Sequence, residues 1–304
     1  MKKKIAWICA GFMLLIGLFM CLVLIHSYRT QQDSHAQKAQ AKIIVSGYVP
    51  YTLVRQLSGN TVSVEMILPP GAEPHSFEPT PGTLVALKQT NGFIYISDDL
   101  EPWALDLAKN AGENTRLLRL ADSVEQTPDP HIWMRLENMP ILAEKITEFL
   151  KEICPQFAKN YTENLERFKR EIFQLQQDFA TSLKHCRYRK VVHIGHLAFE
   201  NLLTPYGLQL TTLSGTSHEG EHSVKKLIGL TRDIKRQGLK AIFTENMISG
   251  RLAEVVARET DVTVLPLYPI EHISRQDFEN NVTYVELMRR NLNSLKRGLQ
   301  CPAF

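Results

Sequence analysis

The pattern of apolar and polar positions changes character several times along the chain. Residues 5–25 form one apolar run without a charge. At ~1.5 Å per residue it reaches about 30 Å, enough to cross a bilayer as a helix. Residues 27–41 are polar and read as a tether. From there to residue 154 short β-type runs alternate with helical ones: 42–47, 62–68 and 93–97 read as strands, 51–57, 83–89, 101–110 and 139–153 as helices. A long stretch follows in which Phe157, Tyr161, Leu165, Phe168, Ile172, Leu175, Phe179 and Leu183 keep helical spacing, with Pro155 suited to a first helical position. The alternation then returns. Residues 191–194, 209–213, 241–244 and 262–267 are strand-like, and 197–206, 223–237, 249–259 and 282–299 helix-like.

Alternating strands and helices imply mainly parallel sheets covered by helices. The expected fold class is therefore α/β, with two lobes of mainly parallel sheet joined by one long rigid helix. The expected segments are 1–26 (signal or membrane anchor), 27–41 (polar tether), 42–154 (N-terminal lobe), 155–186 (linking helix) and 187–304 (C-terminal lobe). Ligands bind beyond the carboxyl ends of parallel strands, which points to the cleft between lobes.

Composition removes several function classes. The chain has 304 residues, 44% hydrophobic and 22% charged, with a net charge of only +3. No basic patch argues for a nucleic-acid partner, and neither a phosphate-binding loop nor a dinucleotide fingerprint is present. Lys2, Lys3 and Lys4 ahead of the apolar run favour an inside N-terminus and an exported body. Ser34-His35-Ala36 and Ala39-Gln40-Ala41 are small-x-small sequences, but both lie far from the run, so an uncleaved anchor is favoured over a cleaved signal. Cys21 is flanked by bulky residues, unlike a lipoprotein cleavage box. Export permits disulfides. Cys154 and Cys186 lie at opposite ends of a helix about 45 Å long and should not pair; a Cys186–Cys301 bridge and free thiols are both open.

Three histidines carry the chemistry: His75 in GAEPHSFEPTP, His131 in TPDPHIWM and His196 in VVHIGHLAF. Each falls at a strand exit or helix entrance. Zinc fingers and HExxH hydrolases place their ligands on one hairpin or one helix turn, whereas ligands dispersed over ~120 residues suit a site assembled in a cleft. Prolines stiffen the loop around His75. Asp129 is placed to accept from the second ring nitrogen of His131, and Glu73 or Glu78 from that of His75. Three imidazoles and a carboxylate make a plausible transition-metal shell. Taken singly, each of these histidines reads as an ordinary loop residue. His193, three residues before His196, reads as structural, pointing to the opposite face of its strand. His218 and His222, with Glu219 and Glu221, read as a surface loop ahead of a helix.

The ordered series GAEPHSFEPTP, DPHIW, HLAF followed by YGL, EGEHS before an amphipathic helix, and AIFTEN resembles the solute-binding proteins of ABC importers for zinc, manganese or iron, a family that also contains streptococcal surface adhesins. The resemblance runs from about Lys42 to the C-terminus. It implies two α/β lobes, a rigid linking helix and a buried metal, with His75, His131 and His196 as three ligands. It also implies partnership with a membrane permease and its ATPase, an extracytoplasmic or periplasmic location, and a monomer. Family members place an aspartate after the last strand; here that stretch reads LPLYPIEHIS, with Tyr268 or Ile270 at the expected position. Glu271 is the expected substitute, ahead of His272 or a water. Leu197 and His222 are further departures, where relatives carry a polar residue and a proline. Zinc is favoured over manganese or iron: a histidine at the third position leans away from the manganese type, although residues 121–130 lack the histidine-rich loop of many zinc-specific relatives. The alternatives are a metal-dependent hydrolase, with Glu271 or Glu245 as general base, and a surface adhesin. Neither HExxH nor a nucleophile elbow supports the hydrolase.

Overall fold

The computed structural model describes residues 41–125, 127–213, 224–245 and 250–302. These all fall in the second of two compact units, Ala41–Phe304. The anchor and tether expected over residues 1–40, together with His218 and His222, lie outside the described residues. Among the described residues no helix is long and apolar enough to cross a membrane.

The first sheet contains β1 (Ala41–Val45), β2 (Val62–Met66), β3 (Gly92–Tyr95) and β4 (Arg116–Arg119), in the order β2-β1-β3-β4. The second contains β5 (Lys190–Ile194), β6 (Gln209–Thr212), β7 (Ala241–Thr244) and β8 (Thr263–Pro266), in the order β6-β5-β7-β8. Every pairing is parallel. The two sheets thus repeat one topology, with the strand order reversing between β1 and β3 and again between β5 and β7. The inner strands are buried almost throughout, as in FIY of β3 and AIFT of β7, because helices cover both faces of a parallel sheet.

In the N-terminal lobe the crossovers carry α1 (Tyr48–Ser58), α2 (Pro81–Leu87) and α3 (Pro102–Lys109). After β4 the chain enters α4 (Asn138–Ile153) and then the long α5 (Ala158–Leu183). The C-terminal lobe adds α6 (Glu200–Leu203), α7 (Val224–Gln237), α8 (Gly250–Thr260), α9 (Arg275–Glu279) and α10 (Tyr284–Gly298). The two-lobe α/β fold expected from the sequence is the fold observed.

Helix α5 has 26 residues, about 39 Å of rise. Its buried stripe is Tyr161, Leu165, Phe168, Ile172, Leu175, Phe179 and Leu183, the apolar series of the sequence. It packs against α1 and α4 of one lobe and α10 of the other, so one continuous hydrophobic cluster extends through both lobes. The final helix α10 is fixed at its start by a capping box between Thr283 and Glu286. A Cys186–Cys301 disulfide, one of the two arrangements left open by the sequence, ties the chain after α5 to its C-terminal end, while Cys154 is buried and free.

The structure departs from the expected elements in four places. Strand β4, RLLR, reads as no strand in sequence: it is an edge strand with Arg116 and Leu117 exposed and no β-branched residue. The helix expected over 197–206 shrinks to α6 and a 3-10 turn, Thr204–Tyr206. The linking helix begins at Ala158, after a separate 3-10 turn at Pro155–Phe157. The short α9, capped by Ser274, has too few residues to show a period.

Candidate metal centre

The topology delivers four candidate side chains from four strand exits. His75 follows β2, His131 follows β4, His196 follows β5 and Glu271 follows β8. Each lobe contributes two. One ligand-type atom from each lies within 4.8 Å of all the others. His131 Nε2 is 3.1 Å from Glu271 Oε2, and His196 Nε2 is 3.3 Å from His131 Nε2 and 3.4 Å from Glu271 Oε1. His75 Nε2 is 3.7 Å from Glu271 Oε2. His131 and His196 are fully buried, the Glu271 side chain is 1% exposed, and the His75 side chain, at 14%, is the one nearest solvent.

Local chain geometry explains each placement. His75 sits on a proline-stiffened loop that Trp103 holds by donating its indole N–H to the Pro74 carbonyl at 2.8 Å. His131 is fixed by Asp129: Oδ1 accepts the His131 backbone N–H at 3.0 Å and lies 2.6 Å from ring Nδ1. Asn201 of α6 reaches across from the other lobe and donates its side-chain amide to the Asp129 and His131 carbonyls at 3.0 and 3.2 Å. The corner carrying Glu271 is shaped by two devices. Ile270 adopts a left-handed φ of 63°, which is unusual for a β-branched residue. Asn291 of α10 is buried and brackets Tyr268, accepting its N–H at 2.7 Å and donating to its carbonyl at 2.8 Å. Trp133 donates to the Pro269 carbonyl at 2.8 Å, which joins the His131 and Glu271 segments.

His196 lies at the reversal point of the second sheet, where β5 and β7 diverge. Its Nδ1 is 2.9 Å from Oε1 of Glu245, the residue after β7. Gly195 makes this approach possible: a Cβ there would strike Glu245 Oε1 and sit 2.5 Å from His193 Cε1. His193 is not turned away as strand alternation suggests. The strand ends at Ile194, the chain turns at Gly195, and His193 Nε2 comes within 3.6 Å of the same Glu245 oxygen while its ring packs edge-on to Phe199. At His75, Glu73 accepts the backbone N–H at 3.2 Å, whereas Glu78 is exposed.

The buried carboxylates set the charge state. Burial opposes protonation of His196, but Glu271 and Glu245 outweigh it and hold the ring up to about 11. Burial likewise opposes a charged His131, and Asp129 and Glu271 raise it above the ordinary imidazole value. Burial raises Asp129, but the His131 ring and the backbone donors bring it below the usual carboxylate range. His272 lies beside the cluster, with Nδ1 3.5 Å from Glu271 Oε1. Sequence reasoning drew Asp129 into the site but not Asn201 or Asn291, and it met Glu245 only as a hydrolase base. Glu245, one residue beyond β7, and the amides of Asn201 and Asn291, on α6 and α10, leave no periodic signal.

Residues 43–298 match the family described as "Zinc-uptake complex component A periplasmic" (ZnuA). The chain belongs to this family. Among curated relatives, the zinc-binding protein AdcA of Streptococcus pyogenes serotype M18 is 25% identical over 97% of this chain. The chain spans 61% of the length of that relative. The high-affinity zinc uptake system protein ZnuA of Bacillus subtilis is 22% identical, over 95% of this chain and 97% of its own. Among solved structures, the Zn(II)-bound ZnuA-like domain of Streptococcus pneumoniae AdcA superposes with a TM-score of 0.76 at 25% identity, covering 85% of this chain and 98% of that domain. The laminin-binding protein Lmb of Streptococcus agalactiae, described as bifunctional with adhesin and metal-transporting activity, reaches 0.78 at 29% identity over 85% of this chain and 99% of its own. In this ZnuA-family chain the likeness embraces both lobes and the helix between them.

Proposed function

We propose that this chain captures one divalent transition-metal ion outside the cytoplasm, zinc in preference to manganese or iron, and hands it to an ABC-type permease and its ATPase in the membrane. His75, His131, His196 and Glu271 are the ligands. The observation that carries this reading is the convergence of three imidazole nitrogens and one carboxylate, two from each lobe, within 4.8 Å. A tetrahedral ion with bonds of 2.0–2.1 Å has ligand–ligand edges of about 3.3 Å. The His131–His196 separation of 3.3 Å and the 3.1, 3.4 and 3.7 Å from the histidines to one or other Glu271 oxygen lie near that value, in a set that spans up to 4.8 Å.

Asp129 and Glu245 hold the Nδ1 sides of His131 and His196, which leaves both Nε2 atoms facing the centre and raises ligand basicity. Three imidazoles with one carboxylate suit zinc better than manganese, which prefers oxygen-rich octahedral shells. Catalytic zinc centres keep one position for water, whereas four protein ligands close the shell; this supports a carrier rather than a hydrolase. The zinc-uptake names of the relatives support the same cargo and the same kind of partner.

The test is metal-content analysis of the purified protein after exposure to equimolar Zn, Mn and Fe(II). One zinc per chain is expected, and His131→Ala should weaken binding by orders of magnitude. Absence of 1:1 uptake of any of the three ions would overturn the reading.

A further inference from the structure

Glu271 presents its two oxygens to different neighbours. Oε2 faces His131 at 3.1 Å and His75 at 3.7 Å. Oε1 faces His196 at 3.4 Å and, on its other side, His272 Nδ1 at 3.5 Å. The last separation falls within the 3.1–3.7 Å range found inside the cluster, near a tetrahedral ligand edge of about 3.3 Å. Glu271 is therefore a shared corner: Oε1 lies between His196 of the cluster and His272, while Oε2 faces His131 and His75. His272 is 9% exposed at its side chain and lines a cavity of about 70 Å³ together with Glu245, Tyr268, Ser274 and Asp277. That cavity is brought up to the cluster by Glu245, which holds His196, and by His272, beside Glu271. It is large enough for a hydrated path and carries the carboxylates a departing cation would meet next.

We infer that His272 is a transfer ligand, a second and transient station through which the ion enters and leaves the cluster. Glu271 keeps its bond to the ion while the histidine nitrogens are exchanged for His272 Nδ1, so at no stage is the ion bare. A station of this kind lowers the barrier in both directions and leaves the end states as they were. It changes rates and not affinity. The inference rests on the metal-site reading above.

The experiment measures zinc equilibrium affinity by chelator competition, and zinc release by stopped-flow mixing with excess EDTA. The full chain in detergent is compared with His272→Ala and His272→Gln, and the fold of each variant is checked by circular dichroism and thermal melting. The expected result is a release rate at least 10-fold slower in both variants, with a Kd within about threefold of wild type, since the association rate slows in step. Release at the wild-type rate overturns the inference. So does faster release with weaker binding, which would make His272 a clamp on Glu271. Wild-type protein that takes up no zinc overturns the metal-site reading and this inference with it; wild type that binds 1:1 while the variants release normally overturns this inference alone.

Discussion

Loading the cluster should expel two protons. In the metal-free protein three buried carboxylates, Asp129, Glu245 and Glu271, surround the rings of His131 and His196. Burial works against charging either ring, but these carboxylates prevail: His196 is held up to about 11 and His131 is raised. His196 therefore carries a second proton at neutral pH, and Asp129 and Glu271 favour one on His131 as well; with both rings charged the five groups sum to one negative charge. A divalent ion requires a bare Nε2 on each ring. Two protons leave, two positive charges arrive, and the net charge of the pocket is unchanged. Because no new charge is buried, the desolvation penalty that accompanies a bare buried ion is largely avoided. An exchange of two protons per ion makes the apparent Kd change about 100-fold per pH unit, roughly 2.7 kcal/mol. Zinc titration calorimetry at pH 7.5 in buffers of different ionisation enthalpy measures this directly, since the slope of observed heat against ionisation enthalpy is the number of protons released. The expected slope is about two, with zinc affinity falling steeply from pH 7.5 to pH 6. A slope near zero, or an affinity flat across that range, would refute the charge balance.

Three further outcomes follow from the same coordinates. Asp129→Asn removes the acceptor 2.6 Å from His131 Nδ1, and zinc affinity should fall about 10–100-fold by competition titration; an unchanged affinity would show that the Asp129 charge is idle. Glu101 is fully buried against the Ile96 N–H, and burial lifts its carboxyl from 4.5 to about 7 despite hydrogen bonds from Ser46, Ile96 and Ser97. The folded state thus keeps a proton that the unfolded state loses between those values, so stability drops as pH rises through that window. Glu101→Gln should flatten this dependence and gain up to about 3 kcal/mol at pH 8 in denaturant unfolding, and a loss there would contradict the assignment. Cys301→Ser opens a cross-link spanning 115 residues and should cost about 2–5 kcal/mol. Reductant should lower the melting temperature of the wild type to that of the variant and leave the variant unmoved.

The fold was largely legible because both lobes are built from inner strands buried on two faces, and apolar runs such as KIIV and VVHI announce them. Edge strand β4 was not, since RLLR, exposed over its first half, carries no such mark. The three histidines that converge in the structure stood out in sequence by their positions at strand exits and by the ordered series around them. Glu271 was reachable only as a substitute for a missing aspartate. What aims it at the cluster is tertiary: the left-handed Ile270 and the Asn291 clamp from α10, neither of which has a local pattern. His193 shows the limit of alternation as a rule. It holds only while the strand continues, and one glycine beyond Ile194 brings two rings onto one carboxylate.

The placement of the four proposed ligands constrains how an ion bound there would be let go. Each lobe provides two of them, so complete separation of the lobes would break the site in half. Separation of that kind has to tear the apolar cluster that runs from α1 and α4 through α5 to α10. Re-exposing that cluster costs about 25 cal/mol for each Å² of apolar surface. Local movement is cheaper. The His75 loop is the most exposed part of the site, and the Glu271 corner hangs from α10 by the two Asn291 hydrogen bonds to Tyr268. Each bond is worth about 0.5–1.5 kcal/mol net; moving the corner also breaks the Trp133–Pro269 bond and disturbs the buried Ile270 and Ile273, a smaller disruption than tearing the whole cluster along α5. A rearrangement confined to residues 268–273 moves Glu271 and His272 together, which keeps a carboxylate and an imidazole on the ion as the histidines of the cluster let go.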